Sequence, residues 1–148
     1  MKKIISIPPN YFYLCLILGI VLRLVFPEFK IMPSPYYISG LLLIAMGIYM
    51  VIDPWYLFKK HDTPESFEPT TALVTDGIYK YSRNPMYLGG VLFLTGLSVT
   101  LNNIISLITP LIFFLFMNYM FIPYEEDELA KTFGDKYIEY RKKVRRWI

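Results

Sequence analysis

The sequence predicts an all-α integral membrane fold: about four transmembrane helices, including a helical hairpin, and a cytosolic amphipathic helix at the carboxyl end. Three observations predict it. Of the 148 residues, 55% are hydrophobic and 18% aromatic, and the mean hydropathy is +0.40. The apolar residues fall in four long blocks, where a soluble core would intersperse them with polar ones. Lysine and arginine sit beside those blocks, mostly on one side of the implied membrane. A net charge of +3 in that placement fits phospholipid headgroups and argues against a nucleic-acid partner.

The blocks are Tyr11 to Phe26, Tyr36 to Phe58, Met86 to Leu101 and Ile104 to Ile122. Crossing about 30 Å of hydrocarbon takes roughly 17–25 helical residues. The second and fourth blocks meet that; the first and third need their flanks. Asn102-Asn103 separates the last two blocks and turns the hairpin without carrying a charge across. One domain suits the length: two spans over 1–58, a loop over 59–85, the hairpin over 86–122 and a tail over 123–148. Lys2-Lys3 before an apolar run resembles a secretion signal, but no small-residue cleavage site follows, so the first block is expected to stay. Cys15, the single cysteine, cannot form an intramolecular disulfide and reads as a small hydrophobe.

With four spans, both termini and the second loop share a side. That side holds 13 of the 15 basic residues, leaving Arg23 and Lys30 opposite. The positive-inside rule places it in the cytosol.

Asp53-Pro54 interrupts the second block. The expectation is that the helix ends near Asp53, with Trp55, Tyr56 and Lys59 as an interfacial anchor. A kinked helix whose carboxylate faces a polar cavity is the alternative. In the loop that follows, Pro64, Pro69 and Thr75-Asp76-Gly77 argue against a long helix. His61 is the only histidine, which excludes a histidine-rich metal site; no metal is expected. Beyond Ile122, Pro123 sits where a new helix would start, with Glu125 to Glu128 in its first turn. Leu129, Phe133, Tyr137, Tyr140, Val144 and Trp147 then form an apolar stripe among basic residues. Gly134 is expected to end one helix and Asp135 to cap the next.

Arg83-Asn84-Pro85-Met86-Tyr87 lies where the loop enters the third block. Pro85 suits the first helical position. The free N–H groups of that helix end, with the Arg83 guanidinium, form a place for a carboxylate or phosphate. An ordinary interfacial anchor explains the same residues. Gly89-Gly90 permits close approach of another helix or of a ligand. The hairpin brings Glu125-Glu126 back to the same face, so an anion site and a cation site face each other. S-adenosylmethionine, with a carboxylate, an ammonium and a sulfonium, suits both.

Thr63-Pro64, Phe67, Pro69 and the run from Leu73 to Gly89 resemble the integral-membrane methyltransferase superfamily, which includes isoprenylcysteine carboxyl methyltransferases and phospholipid N-methyltransferases. The tail spacing of Glu125-Glu126, Leu129, Phe133-Gly134, Tyr137, Tyr140 and Val144 resembles the same group. The resemblance implies a cytosolic S-adenosylmethionine site and a lipophilic acceptor arriving sideways from the bilayer. It implies that Leu73, Val74, Gly77 and Tyr79 enclose the adenosine. Arg83, Asn84, Pro85 and Tyr87 then line the methionine end, and Glu125 or Glu126 holds the ammonium. The isoprenylcysteine enzymes usually carry histidine where this chain has Asn84, and Asn-Pro-Met-Tyr is closer to the phospholipid branch.

Methyl transfer by in-line displacement asks the protein chiefly to align donor and acceptor. A carboxylate acceptor needs a positioning cation, Arg141 or Arg145; an amine acceptor needs a base, Glu126 or Asp53. Both acceptors stay open, with Glu126 and Arg141 as the catalytic candidates. Two other functions fit the pattern: a membrane reductase of the sterol type using NADPH, and a helical membrane scaffold without activity.

Overall fold

The computed structural model describes residues 8–61 and 72–148. Lys2, Lys3, Thr63, Pro64, Phe67 and Pro69, used above for charge placement and resemblance, lie outside them. Among the described residues the only regular secondary structure is helical, without strands. Helix α1 spans Pro8–Val25, α2 Gly40–Lys60, α3 Pro85–Thr100, α4 Ile108–Phe116, α5 Ile122–Phe133 and α6 Asp135–Lys143. Three stretches are long and apolar enough to cross a membrane: Pro8–Val25, Tyr36–Lys60 and Ile105–Phe133. The 16 residues of α3 are also apolar but reach only about 24 Å at 1.5 Å per residue. Leu14, Ile17, Val21 and Leu24 of α1 and Leu42, Met46 and Tyr49 of α2 are exposed. This is the outer surface of a protein whose solvent is lipid tails.

Helices α2 and α3 pack backbone to backbone. Gly40 and Gly47 on one meet Gly96 and Gly89 on the other. A Cβ on Gly47 would come within 2.6 Å of the Gly89 carbonyl oxygen, and one on Gly89 within 2.7 Å of the Gly47 carbonyl oxygen. Lipid supplies no hydrophobic drive between helices, so such small-residue contacts carry the packing. Gly90 serves the next interface: a Cβ there would lie 2.7 Å from the Phe113 ring of α4. Gly89-Gly90 therefore admits two helices.

The second helix does not end at Asp53. It runs to Lys60 with Pro54 buried inside it. Leu57, one turn on, packs with Val74 and Tyr79 in a buried cluster joined by Phe58, and that packing carries the helix past the lost hydrogen bond. The Asp53 carboxylate turns to the loop, where Oδ2 accepts from the Ile78 N–H at 3.4 Å. The aromatic–basic anchor forms on the exposed side, with Lys59 Nζ 5.7 Å from the centre of the Trp55 ring.

At the opposite end, Asn102 adopts φ 52° and closes the α3–α4 turn. Its Oδ1 accepts from Ile31 N (2.9 Å) and Met32 N (3.0 Å), and its Nδ2 donates to Met32 O (2.9 Å). Asn103 Nδ2 donates to Phe26 O at 2.7 Å. The pair thus fastens the first loop as well as turning the hairpin.

Pro123 stands in the first turn of α5, as expected, but no break precedes it. The chain runs from α4 through a π-helical turn, Met117–Phe121, directly into α5. A proline ring clashes with the carbonyl four residues back, here Tyr119, and the widened turn contains that residue. Helix α5 ends at Gly134, whose φ of 55° and ψ of −130° suit glycine. Asp135 makes no side-chain cap and simply begins α6. Val144 is extended, so Val144 and Trp147 leave the helical stripe and run as a short strap.

Candidate functional site

The loop from Ala72 to Asn84 is held against α2 and α6. Val74 and Tyr79 are buried on Leu57. Gly77 has φ 56°, and a Cβ there would meet Leu57 Cδ1 at 2.7 Å. Tyr140 of α6 donates its hydroxyl to Tyr79 O at 2.7 Å. Burial pushes the phenols of Tyr79 and Tyr140 above their ordinary range. The loop start is tied to the end of α2 by Asp76, 3.1 Å from His61 Nε2 and 3.5 Å from Lys60 Nζ. Desolvation of Asp76 is outweighed by the His61 hydrogen bond, a backbone hydrogen bond and the His61 and Lys60 charges acting together, which hold its carboxyl below the usual range.

Where the loop enters α3, Pro85 takes the first helical position. Arg83 reaches across to α5: its Nη2 lies 3.1 Å from Glu126 Oε1, and its Nη1 donates to Tyr137 Oη at 3.4 Å. The Arg83 and Glu126 side chains are 9% and 7% exposed. The remaining donor of Arg83, Nε, is buried without a partner among the described residues. One turn into α3, Tyr87 donates its hydroxyl to Glu125 Oε1 at 2.5 Å.

The strap closes one side. Arg146 Nη2 donates to Glu126 Oε2 at 2.7 Å and its Nε to Oε1 at 3.2 Å. The Arg146 carbonyl accepts from Asn84 Nδ2 at 3.0 Å, and the Arg145 carbonyl from Arg83 N at 3.1 Å. Trp147 donates from Nε1 to Asn118 Oδ1 of the π turn at 3.0 Å.

The structure thus brings Tyr79, Arg83, Asn84, Pro85, Tyr87, Glu125 and Glu126 to one end of the bundle. Leu73 lines a cleft of about 720 Å³ between the loop and α6, with Thr75, Lys80, Tyr140 and Val144. Val74 faces α2 instead. Gly77 is exposed at its turn, and Arg141 is exposed on α6. Three residues of the constellation were missed from the sequence: Arg146, Tyr137 and Asn118. Arg146 was counted only as a topological charge. Asn118 carried a usable signal, as a polar residue inside a long apolar block.

Several known proteins are similar to this chain in sequence. A family model for phospholipid methyltransferase matches residues 35–136. The protein-S-isoprenylcysteine O-methyltransferase of Schizosaccharomyces pombe is 35% identical over 126 residues, covering 80% of this chain and 52% of that protein. Its namesake from Saccharomyces cerevisiae is 32% identical over 133 residues, covering 80% and 53%. Protein-S-isoprenylcysteine O-methyltransferase B of Arabidopsis thaliana is 40% identical over 76 residues, covering 49% and 36%. The chain spans about half the length of these relatives or less.

Proposed function

Because the chain belongs to the phospholipid methyltransferase family, we propose that it transfers a methyl group from S-adenosylmethionine to a lipophilic carboxylate acceptor at the cytosolic membrane face. The observation that carries the donor site is Arg83. Two of its three nitrogens are committed to Glu126 and Tyr137, while buried Nε lacks an acceptor among the described residues. A buried N–H of this kind costs about 1–3 kcal/mol, and a ligand carboxylate removes that cost. Glu125, oriented by Tyr87, is the carboxylate for the ammonium, since both Glu126 oxygens accept from guanidinium groups. The cleft beside Leu73 and Tyr140 suits the adenosine. Bound there, S-adenosylmethionine supplies an electrophilic methyl on a sulfonium. The chain's own residues orient the two ends and exclude water.

The carboxylate acceptor is supported by the state of the chain's acids. An amine acceptor has to lose a proton to a base. Asp53 accepts from a backbone N–H and Glu126 from two arginines, so neither named candidate base stands ready. A carboxylate attacks without deprotonation. The names of the relatives make isoprenylcysteine the acceptor to try first, with exposed Arg141 or Arg145 as its positioning cation. Lys59, Lys60, Lys80, Arg83 and the basic tail lie at the end of the bundle that holds the site, which supports a cytosolic placement.

Detergent-purified protein titrated with S-adenosylhomocysteine and with NADPH tests the donor. Binding of NADPH alone overturns the reading. Incubation with methyl-labelled donor, a farnesylcysteine analogue and phosphatidylethanolamine tests the acceptor. The expected label is a methyl ester, released by mild base. Label found only in base-stable lipid overturns the carboxylate assignment.

A further inference from the structure

We propose that Arg146, in the strap after α6, is a positioning residue that keeps Arg83 available to the donor; this rests on the donor site proposed above. The geometry around Glu126 carries it. Arg146 engages Glu126 side-on, with Nε 3.2 Å from Oε1 and Nη2 2.7 Å from Oε2. That two-toothed fork is the preferred geometry of an arginine on a carboxylate. Arg83 reaches the same carboxylate only through Nη2, at 3.1 Å, and its Nε is left buried and unpartnered among the described residues.

The two arginines compete for one side-on slot. With Arg146 in it, Arg83 is confined to a single contact. With Arg146 gone, Glu126 is free to take Nε and Nη2 of Arg83 together, which satisfies the orphan N–H from within the protein. The charges agree. One carboxylate between two guanidinium groups leaves a net positive charge to meet a donor carboxylate, whereas a lone Arg83–Glu126 pair is neutral.

The strap is fixed so that Arg146 holds this place. Arg146 Nη1 donates to Asn118 Oδ1 at 3.4 Å, and its carbonyl accepts from Asn84 Nδ2 at 3.0 Å. The next residue, Trp147, shares Asn118 and packs on Phe114 with ring centres 4.7 Å apart. The strap therefore ties the start of α3 to the π turn before α5.

The test compares two ligands on the full chain: S-adenosylhomocysteine, which carries the amino-acid end, and 5′-methylthioadenosine, the same nucleoside thioether without it. In Arg146→Gln, S-adenosylhomocysteine is expected to bind at least tenfold more weakly, with 5′-methylthioadenosine unchanged. Arg146→Lys, which keeps the charge without the fork, is expected to fall between wild type and Gln. An unchanged S-adenosylhomocysteine affinity in Arg146→Gln overturns the proposal. So does a parallel loss of both ligands, which marks Arg146 as merely structural. A wild-type chain that binds neither ligand refutes the donor site itself, and is thereby distinguishable from failure of the Arg146 role.

Discussion

Alanine at Gly89 tests how far the site depends on the α2–α3 contact. The added Cβ falls 2.7 Å from the Gly47 carbonyl oxygen, 3.0 Å from Met50 Cβ and 3.2 Å from Val51 Cγ2. The first of these is about 0.7 Å short of the 3.4 Å at which ordinary contact begins. It is made to backbone, which no side-chain rotation relieves. Helix propensity favours alanine by about 1 kcal/mol, and overpacking costs about 1–3 kcal/mol, so the net expectation is a loss of up to about 2 kcal/mol. Gly19→Ala is the control, because there the Cβ meets only the Thr109 side chain, Oγ1 at 3.4 Å and Cγ2 at 3.8 Å; propensity then dominates, and a small gain is expected. Gly89 lies two residues after Tyr87, so moving α3 also moves the Tyr87–Glu125 pair. A displacement near 1 Å can cost on the order of 100-fold in rate, and donor binding across that pair is expected to weaken with it. Thermal unfolding in detergent and S-adenosylhomocysteine titration read the two effects. Equal melting temperatures for the two variants, or unweakened binding in Gly89→Ala, would refute the reasoning.

Tyr87→Phe removes the hydrogen bond to Glu125 at little cost in volume. A bond to a charged group is worth about 1.5–3 kcal/mol, so the melting temperature is expected to fall, and donor affinity is expected to fall by roughly tenfold or more as Glu125 loses its orientation; thermal unfolding measures the first and calorimetry the second. At the far end of the bundle, Asn102→Ala loses three hydrogen bonds to the first loop and places alanine at φ 52°. Asn102→Gly loses the same bonds without the backbone strain. Both are expected to melt lower than wild type, alanine lower than glycine by about 1 kcal/mol, with S-adenosylhomocysteine affinity kept in whatever fraction stays folded.

The apolar blocks revealed the helices because lipid-facing surface has to be apolar whatever packs behind it. The same logic did not reveal where they end. Pro54 and Pro123 both looked like boundaries, since proline removes a hydrogen bond. At Pro54, Leu57 packing on Val74 and Tyr79 outweighed that; at Pro123 a helix does begin, but a π turn joins it to α4 without a break. The site divides similarly. The convergence of Arg83, Tyr87, Glu125 and Glu126 was legible because the hairpin returns the di-glutamate beside the start of α3. Arg146 was not, because a strap that leaves its helix has no periodicity to reveal what it touches.

Asn84 illustrates the difference between a motif and a contact. As the departure from the histidine usual in isoprenylcysteine enzymes, it bore on the choice of acceptor. The residue is 8% exposed; its side chain donates from Nδ2 to the Arg146 carbonyl at 3.0 Å, while its backbone N–H donates to Ser82 Oγ at 3.2 Å. It anchors the strap. A histidine at this position also carries a ring N–H able to donate to a carbonyl, so the expectation from this contact is that an Asn/His exchange keeps the donor to the strap and leaves the acceptor unchanged. Asn84→His is therefore expected to keep the ratio of ester to amine methylation within about twofold of wild type, while Asn84→Ala lowers donor affinity by roughly three- to tenfold, the worth of one hydrogen bond. Product analysis with both acceptors in one incubation gives the ratio directly. A shift of that ratio in Asn84→His, with donor affinity unchanged, would return Asn84 to the acceptor side of the site and remove it from the strap.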